Sequence, residues 1–137
     1  MTSQGSGTVT AALSRVETYN SAAGGIVVFG ASALSGSLSA TVTDSVASGG
    51  TYGFYSRSDD VLPIPTILAA VRSVSAYNTN GLYAQGSAAT IRLAESTVMD
   101  NPGAGWQILS ATIESFGDNN VRGNGANTGS LTTIPKQ

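Results

Sequence analysis

The sequence predicts an all-β fold in which about five similar coils stack into a solenoid, and three observations carry that expectation. Asn78, Asn101 and Asn124 recur 23 residues apart, twice in succession. Runs of alternating, β-branched residues such as SATVTDSV and TIRLAESTV return with each repeat, as strands require. No window places apolar residues three and four apart over a dozen positions together with caps, so no substantial helix is expected.

Aligning on the asparagines superposes LAAVRSVSAYN (68–78), IRLAESTVMDN (91–101) and ESFGDNNVRGN (114–124). ALSRVETYN, ending at Asn20, and TVTDSVASGG, ending at Gly50, join with slack. After each corner come a glycine and an apolar run: GGIVVF (24–29), GFY (53–55), GLY (81–83) and GWQI (105–108). The period drifts between 23 and 30 residues, and the excess is assigned to loop insertions near 30–37 and 57–66. Pro63, Pro65 and Pro102 fall in loops, where a missing amide donor harms no ladder.

Strands that recur without intervening helices must stack on their equivalents in the next repeat. A parallel pair normally needs a helical crossover, but a coil that turns three corners supplies the same return path. The expected architecture is therefore a parallel β-helix, one domain over residues 1–137. At about 4.8 Å per coil, five coils make a rod of roughly 24 Å. The C-terminal stretch near 125–137 departs from the repeat, is polar and carries Pro135 and Lys136, so it is expected to act as a cap.

Each corner asparagine is expected in the left-handed backbone conformation, which Asn tolerates. Stacked side-chain amides can also bond up the rod, so Asn78, Asn101 and Asn124 are assigned a structural ladder. Asp44, Arg72, Glu95 and Asp118 fall six residues before the corner, which places Arg72 between two acids on neighbouring coils. Two residues after the repeat's glycine come Val27, Tyr55, Tyr83 and Gln107, beside the more apolar Ile26, Phe54, Leu82 and Trp106. If the apolar set points inward, alternation turns Tyr55 and Tyr83 outward as solvent-accessible neighbours, either a stabilising aromatic ladder or a platform for a sugar ring.

The S-x-V-x-x-N cadence of STVMDN (96–101), then a glycine and an apolar strand, resembles the right-handed parallel β-helix repeat proteins of bacteria. IESFGDNNVRGNGANTGSLTTIPKQ (113–137) looks like the closing coil of small members of that group. The resemblance implies a right-handed coil and a tendency to be exported. It implies no activity, because the fold carries lyases, hydrolases, binding modules and inert scaffolds alike.

Composition removes several chemistries. Without histidine or cysteine there is no Ser–His–Asp set, no thiol nucleophile and no metal site built on those ligands. The only lysine is Lys136 and no G-x-x-x-x-G-K-[ST] occurs, so no phosphate loop is present and no cofactor is expected. Six scattered basic residues in a chain of net charge −2 give no nucleic-acid footprint. No segment approaches the roughly 18 apolar residues of a membrane span, and the N-terminus has neither the basic nor the apolar region of a secretory signal.

β-Helix hydrolases resembling polygalacturonases use clustered aspartates with a histidine, and this chain offers Asp59-Asp60 without one. Arg57, Asp59 and Asp60 in SRSDD bring both charges together in one predicted loop, with too few acids for a calcium cage. Three classes remain. The first is a non-catalytic, secreted or cell-surface module, structural or carbohydrate-binding, with Tyr55, Tyr83, Gln107, Asp59 and Asp60 as candidate ligand contacts. The second is a self-assembling structural protein stacking through coil ends. The third is a fragment of a polysaccharide lyase or hydrolase. An uncovered first coil is expected to recruit another copy through residues 8–16, or upstream coils if the chain is a piece of a longer precursor.

Overall fold

The computed structural model describes residues 2–3, 6–31 and 35–135. Residues 32–34 of the expected first insertion and Lys136 of the expected cap lie outside the described residues. Those described form sixteen strands and no helix.

The strands make three parallel sheets. The first stacks β1 (Thr2–Ser3), β4 (Gly24–Gly30), β7 (Tyr52–Ser58), β10 (Asn80–Gln85) and β13 (Ala104–Leu109). The second stacks β2 (Ser6–Ser14), β5 (Ser35–Thr43), β8 (Thr66–Val71), β11 (Ala89–Ala94), β14 (Thr112–Ser115) and β16 (Thr132–Thr133). The third stacks β3 (Glu17–Tyr19), β6 (Val46–Ser48), β9 (Val74–Ala76), β12 (Thr97–Met99) and β15 (Asn120–Arg122). Through β15 the strands fall to the three sheets in turn, making five coils, and β16 adds a sixth strand to the second sheet; the chain is a right-handed parallel β-helix.

The core runs up the axis as columns. Ile26, Phe54 and Leu82 stack from the first sheet, with Trp106 half-buried above them. Ala40, Leu68, Ile91 and Ile113 stack from the second, and Val42, Ala70 and Leu93 run beside them. A fully buried Phe or Leu contributes roughly 1.5–3 kcal/mol by leaving water, so these columns supply the main driving force.

Two of the three corners are each turned by a single left-handed residue. Between the second and third sheets these are Arg15, Asp44, Arg72 and Glu95, with φ from 46° to 55°. Between the third and first sheets they are Asn20, Gly49, Tyr77, Asp100 and Gly123, with φ from 52° to 72°. The left-handed position thus falls one residue before the ladder, on Tyr77, Asp100 and Gly123, and not on Asn78, Asn101 and Asn124. Asn20 shares the column of Gly49, since Tyr19 pairs with Ser48, and the ladder position in its coil is Ser21. The alignment on Asn20 is therefore displaced by one residue.

The connection near 57–66 is bounded by the strands on either side of it. β7 runs through Ser58 and β8 begins at Thr66, leaving 59–65 as the connection. Arg57 belongs to the sheet because Cα pairing continues to Phe29 below and Gln85 above. Gly30 closes β4, and residues 35–37 open β5. At the other end the chain folds back: β16 pairs with β14, Thr128 bridges Gln107, and Trp106 Nε1 donates to the Gly129 carbonyl at 3.0 Å.

Candidate functional site

Inside the coil, side chains complete what the backbone leaves open at the corners. A left-handed residue turns the next amide along the rod, away from any in-sheet partner, and a buried amide must be satisfied. Asn78 Oδ1 accepts the Gly50 N–H at 2.9 Å, Asn101 Oδ1 the Asn78 N–H at 2.9 Å, and Asn124 Oδ1 the Asn101 N–H at 3.0 Å. The same three Nδ2 groups donate to the carbonyls of Ala47, Ser75 and Val98. Each asparagine therefore clamps the corner of the coil before it.

A second ladder stands at the other corner. Ser45, Ser73 and Ser96 Oγ accept the N–H of Val16, Ser45 and Ser73 at 3.1–3.2 Å, and Asn119 Oδ1 accepts that of Ser96 at 2.8 Å. The sequence carried this signal, because each of these residues follows the charged column and lies five before Gly50, Asn78, Asn101 or Asn124. Both ladders are structural in geometry: their polar atoms face buried backbone.

The charged column lies on the outside of the same corner. Arg72 Nε and Nη2 donate to the two carboxylate oxygens of Asp44 at 2.8 and 3.1 Å, and Asp118 Oδ1 accepts the Glu95 N–H. The Arg72 hydrogen bonds hold the Asp44 carboxyl below its ordinary pKa. Arg15 extends the column by one coil.

The outer face of the first sheet holds the aromatic groups. Val27, Tyr55, Tyr83 and Gln107 are successive rungs. Tyr55 is half-buried, but Tyr83 keeps only 9% of its surface exposed, so it is not the accessible ring expected. The cause is Tyr52, which lies across Tyr83 with centroids 4.4 Å apart and planes at 27°. Tyr55 meets the pair edge-on, 4.9 Å from Tyr83 and 5.1 Å from Tyr52. A three-ring cluster replaces the two-ring platform.

Tyr52 escaped the sequence reading because strict alternation puts it on the opposite face from Tyr55. Alternation breaks at Gly53, where Gly53 and Phe54 are both buried. A Cβ at Gly53 would collide with Ser75 Oγ and meet Asn78 Nδ2 at 2.8 Å, so the glycine column makes room for the asparagine ladder. The glycine preceding each apolar run was the available signal.

Polar groups border the rings. Tyr55 Oη donates to Gln85 Oε1 at 2.8 Å, and the Arg57 guanidinium stands 4.8 Å over the Phe29 ring. Arg57 Nε is buried and makes no hydrogen bond among the described residues. Burial raises the pKa of the Tyr55 and Tyr83 hydroxyls above the ordinary tyrosine value. Gln107 is half-buried under the returning C-terminal segment.

Asp59 and Asp60 stand apart from this arrangement in role. Asp59 Oδ1 accepts the Val61 and Leu62 amides at 2.8 and 3.3 Å, ordering its own loop, and Asp60 is exposed. Among the described residues no group of three or more Asp, Glu, His or Cys side chains is placed to hold a metal ion.

The arrangement is a right-handed parallel β-helix solenoid of three parallel sheets. Comparison with known proteins finds no matching family model, no matching curated protein and no matching solved structure.

Proposed function

We propose that the chain is a non-catalytic extracellular module that holds carbohydrate on the outer face of its first sheet. The observation that carries this is the Tyr52–Tyr55–Tyr83 cluster, with ring centroids 4.4–5.1 Å apart. Sugar rings offer an apolar face and a rim of hydroxyls, and they are met by aromatic carbon beside fixed polar groups. Tyr52 and Tyr55 supply the half-buried rings, Tyr83 backs them, and Gln85 and Arg57 supply an amide and a guanidinium at the edge. The extracellular setting rests on the resemblance of STVMDN and the closing coil to exported repeat proteins.

Binding to a glycan array, with the wild type and Tyr52→Ala/Tyr55→Ala side by side, tests this reading. Retention of at least one glycan class is expected, with affinity reduced roughly tenfold or more in the double variant, as lost aromatic contacts of about 1.4 kcal/mol imply. No retained glycan, or equal binding by the variant, would overturn the proposal.

A further inference from the structure

Among the described residues Arg57 is the one basic side chain held half-buried. Arg15, Arg72, Arg92 and Arg122 are exposed, and two of them meet carboxylates, Arg72 on Asp44 and Arg92 on Glu114. Arg57 belongs to neither of these ion pairs, and its buried Nε has no acceptor among the described residues. A cation drawn out of water without a counter-ion is costly to the fold, so its place on this strand asks for a cause outside packing. Asp59, two residues on, directs Oδ1 to the Val61 and Leu62 amides of its own loop.

The surroundings fix where the charge stands. Tyr55 and Arg57 are two residues apart on β7, so both project from the outer face of the first sheet. Phe29 and Gln85 are the rungs below and above Arg57. The Phe29 ring carries the guanidinium 4.8 Å from its centroid, a contact that holds a cation in place without neutralising it. The Arg57 charge also works against the burial that raises the Tyr55 and Tyr83 hydroxyls, so it lies within electrostatic reach of the ring cluster. Above it, Tyr55 Oη occupies Gln85 Oε1 at 2.8 Å, which leaves Gln85 Nε2 to donate elsewhere. Arg57 and Gln85 thus bring side-chain N–H donors to one edge of the tyrosines, the complement of an oxyanion.

We infer, on the carbohydrate reading above, that Arg57 is an anion subsite of this face and that the saccharide held there carries a carboxylate or a sulfate ester. With Nε enclosed, the guanidinium meets the anion end-on through Nη1 and Nη2. Gln85 Nε2 takes a further oxygen, while Tyr52 and Tyr55 hold the face of the sugar ring. A neutral sugar can satisfy the amide but leaves the cation unpaired, so the discrimination comes from charge.

A glycan array printed with neutral oligosaccharides, each beside its carboxylated and its sulfated counterpart, tests the proposal. The wild type is expected to bind at least one anionic member about tenfold or more tighter than its neutral counterpart. Whether the carboxylate or the sulfate is preferred identifies the anion, and either supports the subsite. The ratio of anionic to neutral affinity should shrink as salt is raised, because the site is half-open to solvent. Arg57→Gln should bring that ratio close to one, and Arg57→Lys, which keeps the charge and loses the fork, should retain only part of it. Tyr52→Ala/Tyr55→Ala should weaken both members together. Melting curves establish that each variant is folded, and Arg57→Lys serves where Arg57→Gln does not fold. Neutral and anionic members bound equally by the wild type, or a ratio that the Arg57 variants leave unchanged, would overturn the anion subsite while the carbohydrate reading stands. Retention of no glycan at all would overturn both.

Discussion

Asn101 joins its side chain to the backbone of Asn78 on the coil below, Oδ1 accepting the Asn78 N–H at 2.9 Å while Nδ2 donates to the Ser75 carbonyl at 3.2 Å. One buried amide thus replaces a strand partner where the chain turns. Asn101→Ala leaves a donor and an acceptor without partners in an interior where each costs about 1–3 kcal/mol. A loss of about 3 kcal/mol is expected, read as a lower urea midpoint with an unchanged m-value.

Neighbouring residues at this corner should respond with opposite sign. Tyr77 is 65% exposed at φ 57°, a conformation costing a residue with a Cβ about 1–2 kcal/mol. Tyr77→Gly relieves that strain and is expected to stabilise by up to about 1 kcal/mol after the greater freedom of glycine in the unfolded chain is subtracted. Asn78→Gly removes a clamp and should destabilise by about 2 kcal/mol or more. Thermal melts of the two variants check the contrast.

Gly53→Ala is expected to cost about 3 kcal/mol or more, since the added carbon meets Ser75 Oγ, the Gly81 carbonyl and Asn78 Nδ2 together. Gly7→Ala, with nothing within 4 Å of the new carbon, should change stability by less than about 0.5 kcal/mol. The same denaturation series compares both.

The Asp44–Arg72 pair sets a pH dependence of known sign. The Asp44 pKa is lowered in the folded state, first by its hydrogen bonds to Arg72. Its stabilising contribution is therefore present above the ordinary carboxylate value and is lost as pH falls through the lowered one. Both groups are exposed, so salt should weaken the effect. A carboxyl-carbon NMR titration should show the Asp44 midpoint rising toward its ordinary value in Arg72→Ala.

How much was legible follows from which forces were local. The 23-residue spacing identified the ladder, and aligning the glycine before each apolar run gave the rungs Val27–Tyr55–Tyr83–Gln107 and Ile26–Phe54–Leu82–Trp106, which do pair in that order, whereas the repeat alone left the inward-facing set open by one residue. The column Asp44–Arg72–Glu95–Asp118 likewise followed from position alone, with Arg72 bonded to Asp44 and Asp118 to the Glu95 amide. Asn20 misled because asparagine suits a left-handed corner as well as a ladder, and these two demands sit one residue apart. The serine ladder was overlooked because serine is common throughout the chain. Tyr52 was hidden by the break in alternation at Gly53, and its stacking on Tyr83 is a tertiary fact that no spacing encodes.

Side-chain amides close the coils, and amide hydrogen exchange reads that closure at single residues. The N–H groups of Gly50, Asn78 and Asn101 lie outside the strands, where unclamped amides exchange rapidly. They are expected to exchange as slowly as strand-centre amides such as Leu68 and Ile91, and Asn101→Ala should release the Asn78 amide while leaving Leu68 protected. Exchange of Gly50, Asn78 and Asn101 at the rate of exposed loops in the wild type would contradict the ladder and the fold built on it.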